Sequence, residues 1–133
     1  MFEKQFRLTK AKDFEKLGTK GRSVYGPFMV MRVRPVSDGP KVAFITSTKV
    51  FKSAVDRNRV KRRLRHVLKT HINEVPNNVH ILFIVKREAL KAPHDELAEE
   101  ARRLILKIPE ALKKPPKLSP RAQKMKEKRK RKG

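Results

Sequence analysis

Cysteine and tryptophan are absent from this chain, and Tyr25 is its single tyrosine. Without a thiol there can be no disulfide, iron–sulfur cluster or thiolate metal site. An aromatic stacking platform would have to be built from the seven phenylalanines. Acids are also scarce: thirteen Asp and Glu stand against thirty-six Lys and Arg, for a net charge of +23. No apolar run approaches the roughly 18 residues of a spanning helix, and nothing at the N-terminus resembles a secretory signal. A spanning segment is therefore not expected, and neither a membrane nor a small-molecule substrate is the partner this composition favours. A positive field of this size recruits polyanions and says little about fold. Nucleic acid is the first candidate, an anionic membrane surface the second and an acidic protein the third.

The charge is uneven along the chain. From Lys113 to Gly133 there are eleven Lys and Arg and one acid, Glu127. After Leu112 only Leu118 and Met125 are large and apolar. Such a segment cannot bury enough surface to offset its ordering entropy. Residues 1–112 are thus expected to form a single α/β RNA-binding domain, and 113–133 a basic, disordered tail. With 38% hydrophobic residues the domain can build a core, though a modest one.

Within residues 1–112 there is no internal repeat. Lys10 to Leu17 has weak helical spacing, with Ala11, Phe14 and Leu17 on one side, Thr9 before it and Gly18 and Gly21 after it. Pro27 to Val33 and Val42 to Thr48 have strand composition around the turn Ser37-Asp38-Gly39-Pro40, so the two are expected to pair as a hairpin. Ser53 to Thr70 reads as a helix. Pro76-Asn77-Asn78 breaks the chain before Val79 to Val85, an uninterrupted apolar run typical of a central strand buried on both faces. Pro93 to Leu106 closes the domain as a helix, with Asp95, Glu96, Glu99 and Glu100 in its first turns, where the helix dipole favours acids. The expected fold class is α+β: a two-layer sandwich of helices on a mixed sheet, in the order α-β-β-α-β-α.

The central helix carries the strongest signal. Between Arg57 and Arg65 six of nine residues are cationic. Ser53 and Asp56 make a start resembling a capping box. At about 100° per residue, Val60, Leu64, Val67 and Leu68 fall within one stripe about 100° wide. Asn58, Arg59, Lys61, Arg62, Arg63, Arg65, His66 and Lys69 fill the opposite arc. Arg57 lies angularly inside the apolar stripe, so it should reach past the helix start. A solvated helix commonly alternates charge at i,i+4. Here Arg57/Lys61/Arg65 and Arg59/Arg63 stack like charges instead, a cost that a bound polyanion relieves. No recognition-helix pair or dimerising heptad points to duplex DNA.

The segment Ala54-Val55-Asp56-Arg57-Asn58-Arg59-Val60-Lys61-Arg62-Arg63-Leu64-Arg65 resembles the RNR signature of the bacterial ribonuclease P protein family. Lys41 to Val50 is similar to that family's second strand, and Phe6-Arg7-Leu8, Asp13-Phe14 and Gly21-Arg22-Ser23-Val24 fit its opening. The resemblance covers roughly residues 5–107. It implies a fold like the second domain of ribosomal protein S5, with a left-handed βαβ crossover. It also implies a ribonucleoprotein endonuclease that removes 5′ leaders from precursor tRNA in the bacterial cytoplasm. In that family the RNA subunit does the chemistry with Mg²⁺, held mainly by RNA and substrate, and the protein contributes no catalytic residue.

Docking on the catalytic RNA is accordingly expected from Arg57, Asn58, Arg59, Lys61, Arg62, Arg63 and Arg65, with Lys49 and Lys52 leading into the helix. The single-stranded leader is expected to lie along Phe14, Phe28 and Arg32, with Phe14 able to stack on a base. His66, His71, His80 and His94 have no motif-like spacing to carboxylates, so none is expected to ligate a metal or act as a base. The chain departs from the family pattern at three places. Gly18 stands where a second aromatic is common, Thr48-Lys49 replaces a lysine pair, and His66 replaces an acid or amide. An alternative carried by the same residues is a structural RNA-binding protein of a ribosomal particle, organellar ribosomes included.

Overall fold

The apolar run Val79–Val85 forms β4, and the other strands are arranged around it. In a computed structural model, which describes residues 6–119, the sheet has the order β1-β2-β4-β3. Its strands are β1 (Arg22–Tyr25), β2 (Met29–Pro35), β3 (Lys41–Ile45) and β4 (Val79–Val85). β2 pairs antiparallel with β1 and β4, and β3 pairs parallel with β4, so the sheet is mixed. Six of the seven β4 residues are buried and the seventh is half-buried, as a strand covered on both faces requires.

The hairpin expected between Pro27–Val33 and Val42–Thr48 does not form. β4 lies between those strands, with Met31 opposite Phe83 on one side and Phe44 opposite Phe83 on the other. The physical reason is burial: β4 is the most apolar strand, and only the central position covers all of it. The 36–40 connection therefore crosses the start of β4, where Val36 donates its N–H to the Asn78 carbonyl at 2.9 Å. Gly39 is needed at that crossing, because a Cβ there would lie 2.4 Å from the Val79 carbonyl oxygen. The short edge strand β1 had no sequence signal strong enough to mark it, so the element order gains one strand.

The long helix α2 (Ala54–His71) connects β3 to β4. Ser53 Oγ accepts from the Asp56 N–H at 3.4 Å, so the expected cap is present. α2, α3 (His94–Leu106) and the short α4 (Ile108–Leu112) share a core with Met29, Met31, Val33, Val42, Ile81 and Phe83 on one side of the sheet. The helix α1 (Ala11–Lys20) lies alone on the other side, over Leu8, Leu17 and Leu82. The main two-layer sandwich thus carries a partial third layer. Residues 114–119 also pack against the domain, with Lys117 N–H bonded to the Gly21 carbonyl at 3.0 Å and Ser119 N–H to the Gly18 carbonyl at 2.8 Å. The ordered chain therefore extends past the boundary expected at Leu112. The rest of the expected tail, 120–133, lies outside the described residues.

A charged cluster holds α1 to the sheet. Asp13 of α1 approaches Arg34 of β2 at 3.9 Å and His80 Nδ1 of β4 at 4.0 Å. His80 Nε2 lies 3.2 Å from Asp38 Oδ1, and neither ring nitrogen has hydrogen-bond geometry. Burial depresses the His80 pKa below its ordinary 6.5, Arg34 and Lys41 add to that effect, and Asp38 and Asp13 oppose it. A histidine with a depressed folded pKa binds fewer protons than in the unfolded chain. Its contribution to stability is therefore present above pH 6.5 and is lost as pH falls through the depressed folded value. Urea unfolding measured between about pH 8 and pH 5 should show stability falling below neutrality, and His80→Gln should flatten that dependence.

Candidate nucleic-acid interface

Val60, Leu64, Val67 and Leu68 are all buried against the sheet and α3. Their spacing leaves Asn58, Arg59, Arg62, His66 and Lys69 exposed on the outward arc. Among the described residues no ion pair involves a Lys or Arg of α2. Val55 is 72% exposed at the head of the same arc. His66 faces His94 at the start of α3, with ring centroids 5.8 Å apart. Lys49 and Lys52 are exposed on the approach to the helix, and Lys52 borders a depression shared with Arg87 and Lys91.

Two of the expected phosphate ligands have other partners. Arg57 reaches past the helix start, as its angle implied, and there donates to the Phe51 carbonyl at 2.7 Å and the Lys52 carbonyl at 3.3 Å. Arg63 donates to the carbonyls of Ala89 and Leu90, both at 3.2 Å, and to that of Ala92. These arginines fix the loops at either side of α2. Periodicity gave their angle on the helix and had no access to the loops beside it.

Lys61 and Arg65 lie on the other flank of the arc, half-buried. With Arg7, Leu8, Thr9, Phe14, Val42, Ala43 and Phe44 they line a groove of about 180 Å³ between α1, the edge of β3 and α2. Phe14 is half-buried there and packs towards Leu17 and Leu82. One cationic flank and two aromatic rings, Phe14 and Phe44, thus border the same groove. Strand register extends the groove floor: Tyr25, Val30, Ile84 and Ile45 are in register across all four strands on the α1 side of the sheet. Tyr25 is 64% exposed, and the other three are half-buried. This apolar row crosses the sheet, so it could be found only from the strand pairing that the expected hairpin misassigned.

The structure does not bring Phe28 and Arg32 to that groove. Phe28 packs against the core on the opposite side of the sheet, and its N–H donates to the Glu100 carboxylate at 2.9 Å. Burial raises the Glu100 pKa, and the Phe28 N–H and Arg103 act against that rise. Arg32 is on the α1 side but only 1% exposed beneath the helix, where its guanidinium donates to the Leu17 carbonyl.

A family model described as Ribonuclease P matches residues 2–109. The chain belongs to the ribonuclease P protein family. The ribonuclease P protein component of a Picosynechococcus strain is 30% identical over 104 residues, covering 77% of this chain and 90% of the relative. That of Acidothermus cellulolyticus is 33% identical over 109 residues, covering 79% and 89%. Among solved structures, a mutant RNase P protein of Staphylococcus aureus superposes with a TM-score of 0.71 at 26% identity, covering 83% of this chain and 92% of that one. The RNase P protein of Thermotoga maritima gives 0.69 at 21% identity, covering 76% and 96%, and so supports the fold. Membership of the ribonuclease P protein family agrees with the RNR run and with the mixed sheet. Among the described residues no helix is long and apolar enough to cross a membrane.

The two kinds of α2 arginine should separate in a stability measurement. Arg63→Ala leaves three carbonyls without their cationic donor and should lower unfolding free energy by about 1–3 kcal/mol. Arg59→Ala removes an exposed side chain and should stay within about 0.5 kcal/mol of the parent. Urea denaturation of the two variants makes the comparison.

Proposed function

We propose that this chain serves ribonuclease P as its protein component, docking on the catalytic RNA subunit through the exposed arc of α2. In the same reading the groove between α1, β3 and α2 holds the single-stranded 5′ leader of precursor tRNA. The observation that carries it is the shared flank: Lys61 and Arg65 border the groove that contains Phe14, while Arg59 and Arg62 point outward from the same helix. One rigid element thereby faces two RNA segments at once.

The chemistry of each part suits that division. Exposed arginines make charge-assisted, often bidentate bonds to phosphate and stay charged at any working pH. A leader base can stack on Phe14, a contact worth about 1–3 kcal/mol, and its neighbours can rest on the aliphatic row from Val30 to Ile45. Such contacts tolerate any sequence, as a component acting on many precursor tRNAs must. Among the described residues no cluster of three or more His, Asp and Glu is placed to hold a metal ion. In the same reading the Mg²⁺ that hydrolysis needs is held mainly by the RNA subunit and the substrate, and no step is routed through the protein. On this reading the chain works in the bacterial cytoplasm. The ribosomal-particle alternative is not favoured, since the relatives and the solved neighbours bear the ribonuclease P name.

The protein's part in catalysis follows from electrostatics. Two polyanions, the RNA subunit and the precursor, repel each other, and Mg²⁺ normally screens that repulsion. A rigid cationic arc between them replaces part of the screening. Adding the protein to the RNA subunit at low Mg²⁺ should therefore raise precursor-tRNA cleavage by tenfold or more, on the order of 1.4 kcal/mol. The gain should shrink as Mg²⁺ rises. No gain at any Mg²⁺ concentration would contradict the assignment.

A further inference from the structure

The outward arc of α2 has a concavity on each flank. One is the groove beside Lys61 and Arg65, and the other is the depression that opens where α2 begins. The depression holds about 570 Å³, against about 180 Å³ for the groove. Sites that enclose a small molecule usually measure about 300–1,000 Å³. Val50, Phe51 and Leu90 give the depression an apolar lining, and Lys52, Arg87 and Lys91 give it cations. Two carboxylates complete it: Asp56 is half-buried, and Glu88 stands exposed at the rim. Among the described residues none of these charged groups makes an ion pair.

The walls are fixed from within the fold. One wall is the loop before α2, and the other is the short turn Arg87–Leu90. Arg57 bonds the first at the Phe51 and Lys52 carbonyls, and Arg63 bonds the second at those of Ala89 and Leu90. A single helix therefore sets the width of the opening before any ligand arrives. Preformed walls lower the ordering cost of binding.

This set of groups does not suit a bare phosphate or an acidic protein face, because Asp56 and Glu88 would repel either. It suits a nucleotide turned out of its strand. Unpaired bases of folded RNA are read in this way, splayed out, covered on their faces and bonded along their edges. A carboxylate accepts from base N–H groups, and cations meet the flanking phosphates. Position on the helix says which RNA. At about 100° per residue, Arg59 lies about 60° round α2 from Asp56, whereas Arg65 lies about opposite. The depression thus adjoins the arc at Arg59, and the groove adjoins it at Lys61 and Arg65. A strand docked on the arc reaches the depression without crossing the groove.

We propose that the depression receives one unpaired nucleotide of the RNA subunit. Its base lies against Val50, Phe51 and Leu90 with an edge on Asp56, and its phosphates meet Lys52, Arg87 and Lys91. The proposal rests on the arc of α2 being the RNA-subunit face.

Because the chain has no cysteine, crosslinkers on single introduced cysteines test both layers in the full protein assembled with RNA subunit and precursor tRNA. Val55→Cys probes the arc and Glu88→Cys the rim of the depression. Both should crosslink to the RNA subunit, Glu88→Cys at an unpaired nucleotide. No RNA-subunit crosslink from Val55→Cys would overturn the arc reading, and the proposal with it. RNA-subunit crosslinks from Val55→Cys without any from Glu88→Cys would overturn the proposal and leave the arc intact. Removing the base of the nucleotide reached from Glu88→Cys, with its sugar and phosphate kept, should weaken binding of the parent protein about tenfold. Unchanged affinity would reduce the contact to backbone phosphate and overturn the proposal. Against Asp56→Ala protein the same base removal should cost less, since the partner of the base edge is already gone. An equal loss would place the base elsewhere and overturn the proposal as well.

Discussion

Burial of Val60, Leu64, Val67 and Leu68 under the sheet sets the orientation of α2, and the orientation of α2 sets what the molecule presents to RNA. Each of these side chains contributes roughly 1.5–3 kcal/mol when fully buried. The stacked cations of the same helix oppose one another by only a few tenths of a kcal/mol per pair. The apolar stripe therefore wins, and the helix holds its like charges together in water. A bound phosphate backbone relieves the repulsion that remains, which gives the arc a preference for polyanions independent of sequence.

Three arginines in this strongly basic chain serve the fold before they serve any ligand. Arg57 and Arg63 join α2 to the loops beside it, and Arg32 joins α1, β1 and the segment after α4. All three donate to backbone carbonyls, so their N–H groups are satisfied without any of the thirteen acids. The acids are used at other places: Asp13 and Asp38 around His80, and Glu100 under the Phe28 N–H. Gly26 belongs to that last contact, since a Cβ there would lie 2.6 Å from Glu100 Oε1.

The sequence revealed most where one periodicity or composition dominated. The limits of α2, its cap, its buried stripe and the central place of Val79–Val85 all follow from local pattern. The strand neighbours did not, because the turn at Ser37–Pro40 looks the same whether its strands pair with each other or flank a third. With that pairing unknown, the row Tyr25–Val30–Ile84–Ile45 could not be seen, and Phe28 and Arg32 could not be assigned to a side of the sheet. Residues 114–119 read as a solvated basic segment, since the bonds that hold them involve backbone groups and a distant arginine. RNR resemblance supplied the family, while the division of the arginines between fold and surface required coordinates.

The central claim is that the exposed arc of α2 is the docking surface for the RNA subunit. The most direct test is the salt dependence of RNA-subunit binding by the parent chain and by Arg59→Ala combined with Arg62→Ala. The account predicts weaker binding and a slope of log affinity against log salt that is shallower by about 0.7–0.9 per lost phosphate contact. An unchanged affinity and slope in a folded double variant would contradict it.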